Sequence, residues 1–462
     1  MQATFISTCL LIFSFSGALL ATSVLEQDIK KHLSKQEYIN VEFGISIKTP
    51  ATNMHINDTQ AFVPASIQKL LLSYYMIDTF GINHRFYTNF YYDKEHNIYI
   101  KGGADPTFQT NQFQEIIRKL KKKKIDQISS IILDPSIIER SPNEYRNKAH
   151  YYYAKAEGLN LNYNTISCTL NQKTSLLETI PSTGYAKLDL RYSSLKLSKK
   201  KASHPYTFLQ KRSDHDNYVI KGEISRHDFN NKNLLFRVSQ PSIFFGTVFK
   251  EECEKKNIKT IKKIEIRHFN KKKKKKLITI KSKPLHQQLK TLNQDSNNMV
   301  ANCFTKYAGK SETNPKGSVG NGAKSIQAFL LSKLNINRNQ WRIKDGAGLS
   351  KENKSSSNSI LKVLNSIKED KQIFNTVFLS MLNPEQDPLY KKLDIPKHLD
   401  IRIKTGTLTS SGIHNMAGYI INKETDAITE FAILTQSNPK EKSYYKAELT
   451  TPILDLIIQH TL

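Results

Sequence analysis

Ser66 and Lys69 stand three residues apart at the head of an apolar run, Leu70 to Ile77, which reads as a helix buried on nearly all sides. Residues i and i+3 share a helix face, so the Lys69 amine is expected beside the Ser66 hydroxyl. A serine hydroxyl is a poor nucleophile until a base takes its proton. A lysine desolvated near a helix N-terminus has its pKa pushed down and can be that base. Spacing alone does not single this pair out, because Ser193/Lys196, Ser198/Lys201, Ser359/Lys362 and Ser437/Lys440 share it. Context does: Pro64-Ala65 precedes Ser66, where a missing N–H costs a helix start little, and a buried helix follows.

Two further groups can do chemistry. Ser296-Asn297-Asn298 lies in a polar turn between two helical patterns, one marked by Leu285, Leu289 and Leu292, the other by Met299, Val300, Phe304 and Tyr307. The hydroxyl and the second amide could both face a cleft; equally, Ser296 or Asn297 would cap the second helix. Ser141/Asn143 and Ser356/Asn358 repeat the spacing. Lys404-Thr405-Gly406 occurs once. Leu399, Ile401 and Ile403 alternate with Asp400, Arg402 and Lys404, which predicts a strand with its apolar set on the core and Lys404 on the opposite side, toward a cleft. Gly406 would let a ligand approach that strand's backbone. An ordinary strand end with a surface lysine would read the same.

The elements that must hold these groups come from both ends of a chain of 462 residues, long enough for two or three domains. Residues 24–36 predict a helix and 41–48 a strand. Residues 398–405, 414–422 and 429–436 predict strands, and 447–460 a last helix. Together they give an antiparallel sheet covered by helices. Between them, Tyr87–Tyr92, Asn97–Lys101 and Ile128–Leu133 read as strands and about 108–122 as a helix. Residues 170–262 are polar and short-stranded, a separate β-rich module.

Composition narrows the setting. Hydrophobic residues are 38% and aromatics 10%, which excludes a disordered chain. About Phe5 to Leu20 is apolar and uncharged, with Ala18, Ala21 and Ser23 following, which predicts a secretory signal; no Lys or Arg precedes the run, so an uncleaved anchor is the alternative. Of Cys9, Cys168, Cys253 and Cys303, three remain after such a signal, enough for at most one disulfide, and no Cys/His cluster predicts a metal site. The net charge is +28, with runs at Lys121–Lys124, Lys199–Lys201 and Lys271–Lys276. Those runs are either solvated surface or a contact for anionic wall polymer or membrane. Export and the lack of interleaved aromatics argue against nucleic acid.

Ser-x-x-Lys, Ser-x-Asn and Lys-Thr-Gly in this order are the motif set of penicillin-binding proteins and class A β-lactamases, and each falls on the element type it needs. The chain most closely resembles the D-Ala-D-Ala carboxypeptidase/endopeptidase family typified by penicillin-binding protein 4, peptidase family S13. Pro64 to Lys69, Gly103-Ala104-Asp105-Pro106-Thr107, Asn160 to Asn164, Asp345 to Ser350 and Lys404 to Leu408 are similar to that family's stretches. The gap from Lys69 to Ser296 discriminates further, since that family carries two extra domains there, one nested in the other. The resemblance spans nearly the whole mature chain and is weakest in 171–262.

It implies an α+β fold with a signal at 1–23 and a catalytic domain from 24–83 and 284–462. An α/β insertion would come from 84–170 and 263–283, and a β-rich inner one from 171–262. It implies Ser66 as nucleophile, Lys69 as general base and Ser296 as proton relay to the leaving D-Ala. Asn298 would bind the substrate amide, Lys404 would supply positive potential, and Thr405 and Thr407 would hold the terminal carboxylate beside Gly406. The oxyanion would sit on the N–H groups of Ser66 and Thr407, with Asp345 to Ser350 as a cleft-side loop. The activity implied is periplasmic or extracytoplasmic hydrolysis of peptidoglycan stem peptides, sensitive to β-lactams, with no cofactor and no metal. Asn162 stands where some members place an Asp that reads the substrate's free amine, so a preference for a diaminopimelate side chain does not carry over. A β-lactamase and a catalytically silent wall-binding protein are the alternatives. A class A β-lactamase uses an added Glu, and none stands in a short segment after Ser296-Asn297-Asn298.

Overall fold

A computed structural model describes residues 24–140, 148–170, 177–189, 195–198, 206–225, 234–272, 274–441, 444 and 447–461. The expected signal at 1–23 and the Lys199–Lys201 run lie outside the described residues. The chain divides into two compact units, Met1–Ile82 with Leu285–Ser296 and Ala323–Leu462, and Asn83–Pro284 with Asn297–Gly322. The expected inner division at 171–262 falls inside the second unit. Among the described residues no helix is long and apolar enough to cross a membrane.

The first unit is built on a five-stranded antiparallel sheet in the order Leu399–Leu408, Ile413–Asn422, Ile428–Ser437, Val41–Lys48, Asn53–Ile56. Chain start and chain end therefore share one sheet, as the alternating patterns predict. On one face Phe43, Ile45, Ile47, Ile401 and Ile403 pack with Leu25 and Ile29 of the helix at 24–33 and with Ile453, Leu454 and Ile457 of the helix Thr451–Gln459. On the other, Tyr419 meets Phe374 and Phe378 of the helix Lys371–Ser380, and Ser46 meets Ser357 of the helix Ser357–Glu369. Strand 413–422 is buried along nearly its whole length because helices cover both faces.

The second unit holds a five-stranded mixed sheet in the order Ile264–Ile266, Ile131–Asp134, Ile98–Lys101, Tyr87–Tyr92, Lys275–Lys281. The helices Phe113–Lys122 and Pro241–Glu254 pack on it through Phe113, Ile116, Phe245 and Phe249. The second of these helices lies within residues 170–262, which the sequence reads as β-rich. The short strands are there, at Thr165–Leu170, Leu177–Ile180, Tyr206–Lys211, Asp216–Ser225 and Leu234–Arg237, but Phe244, Phe245, Val248 and Phe249 recur at helical spacing and seat a helix beside Leu133 and Ile264. Cys168, Cys253 and Cys303 are buried free thiols.

Candidate active site

Ser66, Lys69, Ser296, Lys404, Thr405, Gly406 and Thr407 lie in the first unit, and Asn298 lies in the second. Pro64 to Ile67 form a 3-10 turn that runs straight into the helix Gln68–Phe80. Ala65 sits at φ +49°, a left-handed conformation that costs a non-glycine residue about 1–2 kcal/mol. The turn is held in it by three neighbours.

From below, Asn415 of strand 413–422 donates Nδ2 to the Val63 carbonyl at 2.9 Å and accepts the Thr435 N–H at 2.9 Å. From one side comes strand 399–408. A Cβ on Gly406 would stand 2.6 Å from the Pro64 carbonyl and about as close to Ile67 as packing allows, at 3.1 Å from its Cγ1. On the side where a Cβ would lie, the close approach that Gly406 permits is by the protein's own Ser66 turn. From the other side comes the loop 344–353. Gly348, at φ +80°, lies so close that a Cβ would fall 1.9 Å from the Ala65 carbonyl.

That loop is knotted by two side chains. Asp345 accepts the N–H groups of Gly348 at 2.6 Å, Leu349 at 3.1 Å and Ser350 at 2.8 Å. Asn353 accepts from Lys344 N–H at 2.7 Å and donates to the Ser350 carbonyl at 3.0 Å. The Ala347 carbonyl is thereby aimed at Lys69. Hydrogen bonds to a charged acceptor contribute about 1.5–3 kcal/mol each. Asp345→Ala should lower stability to unfolding by at least about 2 kcal/mol, the worth of one of its three bonds, and slow acylation of Ser66, whereas Asp345→Asn, which keeps an acceptor, should lose less of both. Denaturant melts and acylation rates of the two variants check this.

Lys69 is fully buried, and its Nζ lies 2.7 Å from Ser66 Oγ and 2.8 Å from the Ala347 carbonyl. Burial, and secondarily the Lys404 ammonium, hold its pKa well below the ordinary lysine range, while the Asp345 carboxylate works the other way. Lys404 lies opposite Leu399, Ile401 and Ile403, as alternation predicts, but it is covered rather than open, at 1% exposure. Burial brings its pKa down to about 7. Its Nζ donates to Ser296 Oγ at 3.0 Å and to the Thr405 carbonyl at 2.9 Å. Ser296 takes φ +52°, and Asn297, whose side chain accepts the Val300 N–H at 3.1 Å, is the cap of the next helix. The capping alternative thus applies to Asn297 and leaves the Ser296 hydroxyl to Lys404.

Thr405 and Thr407 are half-buried on the edge strand. Ile403 spends its N–H and C=O on Leu382 outside the sheet ladder, so residues two and four further on, Thr405 and Thr407, turn their N–H groups to the same free edge. Asn298 belongs to the second unit, where it opens the helix Asn298–Ala308, is buried, and donates Nδ2 to the Tyr152 carbonyl at 3.2 Å.

Sequence reasoning missed the brace behind the site. Asn293, at the end of the helix Leu285–Asn293, donates to Ser73 at 2.9 Å and Ser380 at 2.8 Å, and Ser73 donates to the Lys69 carbonyl at 2.8 Å. This ties the turn carrying Ser296 to the helix carrying Lys69. Trp341 Nε1 donates to Gln68 Oε1 at 2.9 Å and packs fully buried beside it. The signal available was a lone Trp and a buried-looking Asn, neither of which reveals partners some 200 to 270 residues away.

A buried serine–lysine pair at a helix start, on the edge of an antiparallel sheet, with a second serine and lysine beside it, is the layout of active-site serine enzymes of the penicillin-binding class. The model of the D-Ala-D-Ala carboxypeptidase 3 (S13) family matches residues 25–451, and the chain belongs to that family. Penicillin-binding protein 4 of Haemophilus influenzae has a similar fold, with TM-score 0.73 at 18% identity over 92% of this chain and 97% of that one. The same protein complexed with a β-lactam gives TM-score 0.69 at 18% identity over 92% and 97%. The predatory endopeptidase Bd0816 of Bdellovibrio bacteriovorus gives 0.54 at 16% identity over 91% and 93%. The α+β fold, an antiparallel sheet covered by helices with inserted domains, is thus that of the family expected from the motifs.

Proposed function

We propose that the protein is an extracytoplasmic serine peptidase that cleaves D-alanyl-D-alanine ends or cross-bridges of peptidoglycan stem peptides and is acylated by β-lactams. The observation that carries this reading is the 2.7 Å contact between Ser66 Oγ and a buried Lys69 whose pKa is depressed. As a neutral amine, Lys69 takes the Ser66 proton while Oγ attacks the penultimate D-Ala carbonyl. The N–H groups of Ser66 and Thr407 receive the developing oxyanion. Ser296, held by Lys404, gives its proton to the leaving amine and takes one from the Lys69 ammonium, so the C–N bond breaks and Lys69 is neutral again. Water then attacks the acyl-enzyme with Lys69 again as base, and Ser66 regains its proton. Asn298 binds the substrate backbone amide, and Thr405 and Thr407 hold the terminal carboxylate against the Lys404 charge. Membership of the S13 family and the likeness to penicillin-binding protein 4 support the substrate class.

Digestion of purified cross-linked muropeptides tests the reading and divides its two outcomes. Release of free D-Ala is carboxypeptidase action, and loss of dimers is endopeptidase action. Product yields no higher than those of Ser66→Ala contradict both. Rapid turnover of nitrocefin in place of a stable adduct would instead mark a β-lactamase.

A further inference from the structure

The sheet of the first unit opens at one interior rung. Strands Ile413–Asn422 and Ile428–Ser437 pair from Met416 opposite Ile433 to Ile421 opposite Ile428. Beyond Met416 and Ile433 the ladder is interrupted. Four residues further along each chain it closes again, where Ser437 N–H donates to the Gly412 carbonyl at 2.9 Å. The register is the same on both sides, so no residue is inserted, and the gap is neither a bulge nor a frayed end.

Thr435 fills the gap. In a closed antiparallel rung, His414 and Thr435 would exchange backbone bonds. Instead the Thr435 hydroxyl accepts the His414 N–H at 3.1 Å and donates to the His414 carbonyl at 2.9 Å. The Thr435 N–H, released from the rung, goes to Asn415 Oδ1 at 2.9 Å, and Asn415 Nδ2 goes to the Val63 carbonyl at 2.9 Å. Thr435, His414 and Asn415 are all buried, so these bonds have no ready substitute in bulk water.

Both sides of the Ser66 chemistry hang on this wedge. On strand 399–408, Thr407 is paired with His414 and Gly406 with Asn415. Val63 lies three residues before Ser66, at the foot of its turn. Closing the rung would draw residues 413–415, and Thr407 with them, toward strand 428–437. It would also take from Asn415 the N–H that orients its amide toward Val63. Two donors aimed at one developing charge tolerate little displacement.

We infer that Thr435 is a positioning residue for acylation, which with Asn415 sets the spacing between the Ser66 and Thr407 N–H groups. This rests on the reading of Ser66 as nucleophile. Thr435→Val keeps the side chain's shape without the hydroxyl, and Thr435→Ser keeps the hydroxyl. Stopped-flow acylation over a range of penicillin concentrations separates noncovalent affinity from the acylation rate constant. Thr435→Val should lower the rate constant at least about tenfold and change affinity less than about threefold, because the oxyanion forms only on the way to the acyl-enzyme. Thr435→Ser should stay within about threefold of the parent in both. Asn415→Ala should also lose rate, and the double variant should be no more than about threefold slower than the slower single, as members of one unit are not additive. Ser46→Ala breaks the 2.9 Å bond to Ser357 elsewhere in the sheet; it should lower the melting temperature and leave the rate constant unchanged. If Thr435→Val does not fold, Asn415→Ala is read against Ser46→Ala in its place. A folded Thr435→Val that keeps the parent's rate constant, a Thr435→Ser as slow as Thr435→Val, losses that multiply in the double variant, or a Ser46→Ala as slow as Asn415→Ala overturns the inference while the Ser66 reading stands. A parent that takes no penicilloyl group on Ser66 overturns both.

Discussion

Lys69→Met should acylate with penicillin ~100- to 10,000-fold more slowly than the parent, the range that a positioned general base contributes. The side chains are similar in length, so the replacement removes the base without opening the core around Ser66. Its cost to stability should be small. The Ala347 carbonyl loses the donor it has at 2.8 Å, but a fully buried amine no longer has to be kept from water. Thermal melts near the parent's, together with a collapsed acylation rate, are the expected pair of results. An acylation rate within a few-fold of the parent would remove Lys69 from the chemistry.

Lys404→Met should lower the acylation rate by about 100-fold, comparable to loss of one electrostatic stabiliser, and should also move the pH profile. Lys69 works as a neutral amine, so the rate rises with pH as Lys69 loses its proton. The Lys404 charge is one of the two influences that depress Lys69, after burial. Without it Lys69 holds its proton to higher pH, and the acid limb shifts to the alkaline side. The parent should also fall in rate as Lys404 itself deprotonates, near its pKa of about 7, and the variant should lack that alkaline limb. Stopped-flow acylation across pH reads both limbs. An acid limb that stays put or moves to lower pH contradicts the account.

Much of this site is legible in the sequence because its logic is local. The i, i+3 spacing brings Lys69 to Ser66 although the first turn is 3-10 rather than α, since both turns bring residues three apart together. Strand alternation puts Lys404 opposite the core set. What stays hidden is long-range. Nothing near Lys404 announces the Ser296 hydroxyl 108 residues earlier, or the burial that draws its pKa down. Asn415 reads as a strand residue, and only the fold shows it bracing Val63 at a separation of 352. Gly406 reads as a place of close approach to the strand backbone, and only the fold shows the Pro64 carbonyl packed where its Cβ would lie. The helix Pro241–Glu254 is obscured because its aromatic face is short and sits between polar, lysine-rich segments.

If Ser66 Oγ is the nucleophile, a penicilloyl group should form on it and nowhere else. The protein is incubated with labelled penicillin, weighed intact, and digested for peptide mapping. One adduct per chain is expected, on the peptide carrying Ser66, and none in Ser66→Ala. No adduct, or one on another residue such as Ser296 or Ser359, contradicts it.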